Sequence, residues 1–363
     1  MMAVLTRVGH AHRQAVPASD TPVARVLLKH RVPALGGMVV TPDGVELLEV
    51  AGVRRAGSAE AATVDDRWHL GSNGKAMTAV LFARLVQRGK ASWEARLADV
   101  WPQAKHHQAW SDVTVVECLQ HRAGVADATL IAGDWLARAH RDSRPVTVQR
   151  REAAAVVLGK KPGGRRGTFA YANANYVLVG AAIEQIMGAS WEDLMRSDVF
   201  APLGITSGGF GAPTGANPWG HSRTRLGLGG LGAVDPAGLA DNPPVLGPAG
   251  TIHMRLRDYA TFLRLFMGTA GEVLTAESVR RLTTPPESTD RSYAMGWITF
   301  VSRPWAQGQV LAHEGSNTLW HAFTAVGPVR RRAVVAVCNA AAGGGAEAAQ
   351  ALALELTKHV ESQ

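Results

Sequence analysis

Ser72 and Lys75 stand three residues apart within His69–Gly89, HLGSNGKAMTAVLFARLVQRG, and that pair of residue types can do nucleophilic chemistry. A serine hydroxyl attacks a carbonyl only when a base takes its proton. A lysine serves as that base if its pKa falls from about 10.4 toward neutrality. On a helix, residues i and i+3 project together, roughly 5–6 Å apart at Cβ. Burial and the positive end of a helix both lower a lysine pKa. The same helix start offers the Ser72 N–H to a developing oxyanion.

These two residues need a strand, a turn and a helix to hold them. Arg67–Leu70 reads as the strand end, and Gly71 and Gly74 flank the serine as a tight turn. Met77, Val80, Leu81, Leu85 and Val86 then recur at helical spacing, with Gly89 as the stop. Because S-x-x-K also arises by chance, the pair gains weight only from motifs elsewhere in the chain.

The chain has 363 residues, of which 46% are hydrophobic, enough for a sizeable core. At 19% charged residues, it is not a disordered composition. The net charge is +8, yet the basic residues are scattered and no Lys/Arg run with interleaved aromatics marks a nucleic-acid surface. The run Arg330–Arg332 reads as a hairpin turn. Cys118 and Cys338 both lie in apolar stretches and read as buried free thiols. No apolar stretch reaches membrane-spanning length, and the first twenty residues lack the apolar core of a signal peptide, so a cytoplasmic location is expected.

In chain order, Pro17–His30 reads as a helix, and Pro33–Arg55 as a hairpin turning at Pro42-Asp43-Gly44. TVVECLQH, Leu130–Ala139, Val148–Leu158, a stretch ending at Gly188, and Ser190–Phe200 read as helices. Phe210–Gly250 is Gly- and Pro-rich with little periodicity. Its formal G-x-G-x-x-G, Gly227–Gly232, is rejected as a dinucleotide site because neither a preceding strand nor a following helix is expected. Helices at 255–268 and 275–283 follow, then strands at 294–301, 309–313, 319–326 and 332–339, and a closing helix at 345–360. Strands at both ends and helices between predict an α+β fold of one domain, residues 1–363. The sheet lobe comes from about 17–70 and 250–363, and the inserted helical lobe from about 71–249.

Ser72-Asn-Gly-Lys75, Tyr171-Ala-Asn173 and His313-Glu-Gly315 stand in that order. With DDRWHLGSNGKAMTA, VTVVECLQHRAGV, FAYANANYVLVG, APLGITSGG, PAGTIHMRLRDYATFL, YAMGW and HEGSN around them, nearly the whole chain resembles the serine β-lactamase-like superfamily. That group includes class C β-lactamases, D-Ala-D-Ala carboxypeptidases and esterases, and S-x-x-K is among its signatures. The resemblance implies a β-lactamase/transpeptidase-like fold, with an antiparallel sheet flanked by helices. It implies Ser72 as the acylated nucleophile, Lys75 as its base and Tyr171 as a proton shuttle. A phenol of pKa about 10 suits that role if nearby cations, Lys75 and a protonated His313, depress it. Asn173 matches the amide that binds a substrate carbonyl. The backbone N–H groups of Ser72 and Ser316 match the two oxyanion donors, and His313, Glu314 and Gly315 match the strand that edges the substrate.

The sequence departs from many β-lactamases at that strand, where His-Glu-Gly stands in place of Lys-Thr-Gly. An imidazole and a carboxylate replace a fixed cation and a hydroxyl, which disfavours substrates bearing a carboxylate. Two like charges about 4 Å apart repel by roughly 4 kcal/mol at an effective dielectric near 20. Strand alternation would instead turn Glu314 away from the cleft. No cofactor or metal is implied: His10/His12 and His106/His107 are isolated, and neither H-E-x-x-H nor G-x-S-x-G occurs. The expected function is a serine hydrolase acting through a Ser72 acyl-enzyme, an esterase of small neutral substrates. The alternatives are a D-Ala-D-Ala carboxypeptidase or D-aminopeptidase, a weak β-lactamase, and a non-catalytic scaffold on the same fold. The expected partner is a small ester or amide, with no nucleic acid and no membrane. The sequence sets no oligomeric state.

Overall fold

The structure, a computed structural model, describes residues 20–224, 230–271, 273–287 and 289–363. The readings placed on the first nineteen residues, and on the glycine run at 225–229, lie outside the described residues.

Strands β1 (Ala34–Thr41) and β2 (Gly44–Gly52) form the expected hairpin. Short strands follow: β3 (Arg67–His69), β4 (Gly209–Phe210), β5 (Gly220–Arg223), β6 (Leu231–Val234), β7 (Ile252–Arg255) and β8 (Arg291–Tyr293). The chain then builds β9 (Ile298–Arg303), β10 (Gly308–Ser316), β11 (His321–Gly327) and β12 (Arg332–Cys338). Seven of these make one antiparallel sheet in the order β2-β1-β12-β11-β10-β9-β8. The N-terminal hairpin therefore docks beside the last strand, which is why the sheet needs both ends of the chain.

Alternation assigns each strand residue to one of two cores. Val39, Ala312, Ala325, Val334 and Ala336 face the helices Pro22–His30 and Gly345–Glu361 with Val23, Leu27, Leu352 and Leu356. Met38, Leu311, Ala322, Val335 and Val337 face the helical lobe. At its centre run two helices, Gly74–Gln87 and Asn173–Met187, buried nearly all round. An apolar residue on every side is what lets a helix sit in the middle of a lobe. Phe82 and Leu81 are fully buried, each worth about 1.5–3 kcal/mol.

Several elements differ from expectation. Of the stretch 294–301, only 298–301 is strand, in β9; residues 294–297 form the turn that joins β8 to β9, with Gly296 at φ +82° and backed onto Ala76. Residues 252–255, of which only Arg255 is expected to be helical, form β7, which pairs with β3 and β4 in a second, three-stranded sheet. A strand does precede the glycine run: β5 pairs with β6 across it. These strands of two to four residues are too short to show a period. Leu130–Ala139 becomes a helix only over Trp135–Arg141. Cys118 and Cys338 are buried and unbonded. Among the described residues, no helix is long and apolar enough to cross a membrane.

Candidate active site

Gly71–Asn73 forms one tight helical turn ahead of the Gly74–Gln87 helix and lifts Ser72 to its start. Gly71 has φ +53°, and a Cβ there would stand 2.4 Å from Ser316 N. A Cβ on Gly315 would stand 2.0 Å from the Leu70 carbonyl oxygen and 2.7 Å from Ser72 N. Glycine at both positions lets the end of β10 press against the nucleophile turn. That contact brings the backbones of Ser72 and Ser316 together.

Lys75 is fully buried below Ser72. Its Nζ lies 2.9 Å from Ser72 Oγ, 2.9 Å from Asn173 Oδ1 and 2.6 Å from the Ala249 carbonyl oxygen. Burial lowers its pKa to about 7, and the Asp127 carboxylate pulls only weakly the other way. The Ala249 segment is itself held. Arg150, buried between Glu184 and Glu192, donates to the Pro244 carbonyl at 2.7 Å and to the Val245 carbonyl at 3.3 Å.

The Tyr171 hydroxyl donates to Ser72 Oγ at 2.9 Å. Its surroundings overturn one expectation. Packing against neighbouring rings raises the phenol pKa to about 12, and the bond to Ser72 only partly offsets that. Tyr171 remains 42% exposed at the mouth of the site. The expected depression by cations is outweighed by burial, and His313 supplies none because it is uncharged.

His313 is buried, and burial lowers its pKa to about 3, with Lys75 adding to the effect. Its Nδ1–H donates to the Glu314 carbonyl at 2.6 Å, so Nε2 accepts the Tyr293 hydroxyl at 3.1 Å. Both nitrogens are spent inside the protein, so His313 backs the site and offers no donor to a substrate. The Glu314 carboxylate lies on the opposite face of the sheet. Glu314 Oε1 accepts from Gln350 Nε2 of the C-terminal helix at 2.9 Å. Strand parity is the reason: Gly315 must face the Ser72 turn, which turns Glu314 outward.

Sequence reasoning missed three neighbours. His121 has φ +56° and holds the Tyr171 segment: its carbonyl accepts the Ala170 N–H, its Nδ1 the Ala172 N–H, and its ring lies 4.3 Å from Tyr171. The His-x-x-Gly turn was the available signal. Tyr293 closes the cage from YAMGW. Asp127 accepts the Ala174 N–H at the start of the Asn173 helix. A cleft of about 420 Å³ opens beside Tyr171, lined by Arg122, Phe169, Glu287, Arg291, Tyr293 and Ile298 among others.

A serine hydroxyl, a buried amine of near-neutral pKa, and a phenol within hydrogen-bond reach of one oxygen are an arrangement that can carry out acyl transfer. The comparisons agree with that class. The beta-lactamase family model matches residues 19–358, and the chain belongs to that family, whose members are hydrolases of the serine β-lactamase fold. Penicillin-binding protein 4 of Amycolatopsis lactamdurans is 27% identical over 305 residues, 78% of this chain and 72% of the relative. The unguisins hydrolase ungD' of Aspergillus campestris (strain IBT 28561) is 24% identical over 277 residues, 71% of this chain and 48% of the relative, so the chain spans about half that protein. Among solved structures, a D-stereospecific amidohydrolase from Streptomyces sp. superposes with a TM-score of 0.68 at 18% identity, covering 93% of this chain and 97% of that one. At that identity the likeness shows the fold.

Proposed function

We propose that this chain hydrolyses small, neutral esters through an acyl-enzyme on Ser72. The observation that carries the reading is the set of contacts around Lys75 Nζ. A neutral amine has two N–H groups and one lone pair. Asn173 Oδ1 and the Ala249 carbonyl accept the two N–H groups, so the lone pair is left for the Ser72 hydroxyl.

Ser72 Oγ attacks the ester carbonyl while its proton passes to Lys75. The oxyanion lies between the Ser72 and Ser316 N–H groups. Its collapse expels an alkoxide, which takes the proton of Tyr171. The tyrosinate then recovers a proton from the Lys75 ammonium, whose Nζ lies 4.9 Å from the centre of the Tyr171 ring, so both groups return to their starting states. Water then cleaves the acyl-serine by the same steps reversed. A tyrosine held at about 12 keeps its proton at neutral pH and acts as a donor.

The preference for neutral substrates rests on His313, uncharged and fully engaged where relatives of the Lys-Thr-Gly type carry a cation. In the adjoining cleft, the Arg122 guanidinium is already paired with Glu287 at 2.8 Å. The aromatic walls of Phe169, Tyr171 and Tyr293 suit an apolar group. A second reading, amide or D-peptide hydrolysis with weak β-lactam turnover, draws on the penicillin-binding and amidohydrolase likenesses. It also draws on Asn173, whose amide N–H groups are free of Lys75 and can meet an amide carbonyl. A non-catalytic scaffold would not require the proton-transfer contacts at Ser72.

The test is kcat/KM on p-nitrophenyl esters, a D-alanyl amide and nitrocefin. The neutral ester should lead, with a matched carboxylate-bearing ester well behind. A lead by the amide or by nitrocefin would replace the first reading with the second.

A further inference from the structure

Asp241 lies in the loop between β6 and the turn at Pro244, far in sequence from the other residues of the site. Its side chain is 7% exposed, a burial that aspartate tolerates only with partners. Its two carboxylate oxygens serve two different arms of the site. Oδ2 accepts from His69 Nε2 at 2.9 Å, and Oδ1 accepts from Asn317 Nδ2 at 2.8 Å.

His69 ends β3, just before the Ser72 turn, and its Nδ1 accepts the Gly71 N–H at 3.2 Å. A ring nitrogen that accepts a backbone N–H carries no proton, so the proton of His69 sits on Nε2 and faces Asp241. Asn317 follows Ser316 directly, and its Oδ1 accepts the N–H groups of Leu319 and Trp320, each at 3.1 Å. The His69 ring also stacks on Trp320, with centroids 5.6 Å apart. One carboxylate thus ties the turn that carries the Ser72 N–H to the turn that follows the Ser316 N–H.

We propose that Asp241 is a positioning residue that sets the spacing of the two oxyanion donors by holding His69 and Asn317 at once. The inference rests on the acyl-enzyme reading above. Oxyanion donors act at 2.7–3.1 Å from an oxygen that carries charge only in the transition state. Loosening either arm therefore slows chemistry more than it weakens substrate binding. Asp241→Asn has nearly the same shape but one acceptor fewer. If its amide N–H faces His69, the proton of His69 must move to Nδ1, and the Gly71 bond is lost. If the amide is flipped, the Asn317 bond is lost.

The experiment compares a neutral ester with its thionoester. Sulfur accepts hydrogen bonds weakly, so the oxo-to-thiono rate ratio reports the oxyanion donors. Rates are normalised to active sites titrated with a fluorophosphonate, so a loss of folded protein does not change the ratio. Asp241→Asn should lower kcat on the oxoester by about tenfold or more, move KM by less than about twofold, and lower the oxo-to-thiono ratio by a factor similar to the kcat loss. His69→Phe, which keeps a ring on Trp320 without either nitrogen, should lower the ratio as well. A wild-type ratio in both variants overturns the role of Asp241 and leaves the acyl-enzyme reading standing. A wild type that the phosphonate does not label overturns that reading and this inference with it.

Discussion

Replacing Lys75 with methionine should abolish turnover and, near neutral pH, make the protein more stable relative to wild type than it is at alkaline pH. The ammonium is held against its own charge: burial takes its pKa from an ordinary 10.5 to about 7. At about 1.4 kcal/mol per pH unit, that difference costs the folded state about 5 kcal/mol. The direction follows from where the proton sits. Below pH 7 both folded and unfolded chains carry it, and the folded chain bears the whole cost. Between 7 and 10.5 the unfolded chain still binds the proton and the folded chain does not, so stability rises with pH. Above 10.5 the cost has gone. At pH 7 about 4 kcal/mol of it remains, and at pH 9 about 2 kcal/mol. Methionine bears none of this cost. It does lose the contacts to Ser72, Asn173 and the Ala249 carbonyl, worth about 1 kcal/mol each and nearly independent of pH. The stability of Lys75→Met relative to wild type should therefore fall by about 2 kcal/mol between pH 7 and pH 9. Urea denaturation of both proteins at both pH values measures it, and the other titrating groups cancel in the double difference. A difference that is constant to within about 0.5 kcal/mol, or that grows with pH, refutes a buried lysine of lowered pKa.

Activity should follow the same proton. On a neutral ester, kcat/KM should rise about tenfold per pH unit below 7 and level off above it, since only the neutral amine accepts the Ser72 proton; a flat profile from pH 5 to 8 would contradict this. Tyr171→Phe should lower kcat by roughly 10²–10⁴-fold with a much smaller change in KM, and a loss under tenfold would remove Tyr171 from proton transfer. Glu314→Thr should leave the ratio of rates on neutral and anionic esters within about twofold, because the carboxylate bonds Gln350 on the far face of the sheet. A several-fold gain for the anionic ester would show that Glu314 reads substrate charge.

The nucleophile turn was legible because three signals coincide there: a short strand, flanking glycines and a helical period beyond. The long sheet strands and the two central helices were legible for the same reason, since burial on one or all sides leaves a period in the sequence. Glu314 was in principle decidable, because the need for a side-chain-free residue at 315 dictates the parity of β10. The charge states were not. Whether a cation or burial governs Tyr171 depends on His121 and Tyr293 closing round it, and these are contributed by segments far apart in the chain. Nor was the neutrality of His313, which comes from its burial and from Lys75, a residue far from it in the chain. Asp241 sits in a Gly/Pro-rich stretch with no period, where no pattern marks a buried carboxylate. The strands of 209–234 were missed because two to four residues cannot show alternation.

The account stands most directly on where an acyl group lands. Mass spectrometry of the protein quenched with a slowly turned-over ester should show one acyl adduct, mapped to the peptide that contains Ser72. The adduct should be absent from Ser72→Ala, whose fold the substitution leaves unchanged. An adduct on another residue, or turnover that persists in Ser72→Ala, would contradict it.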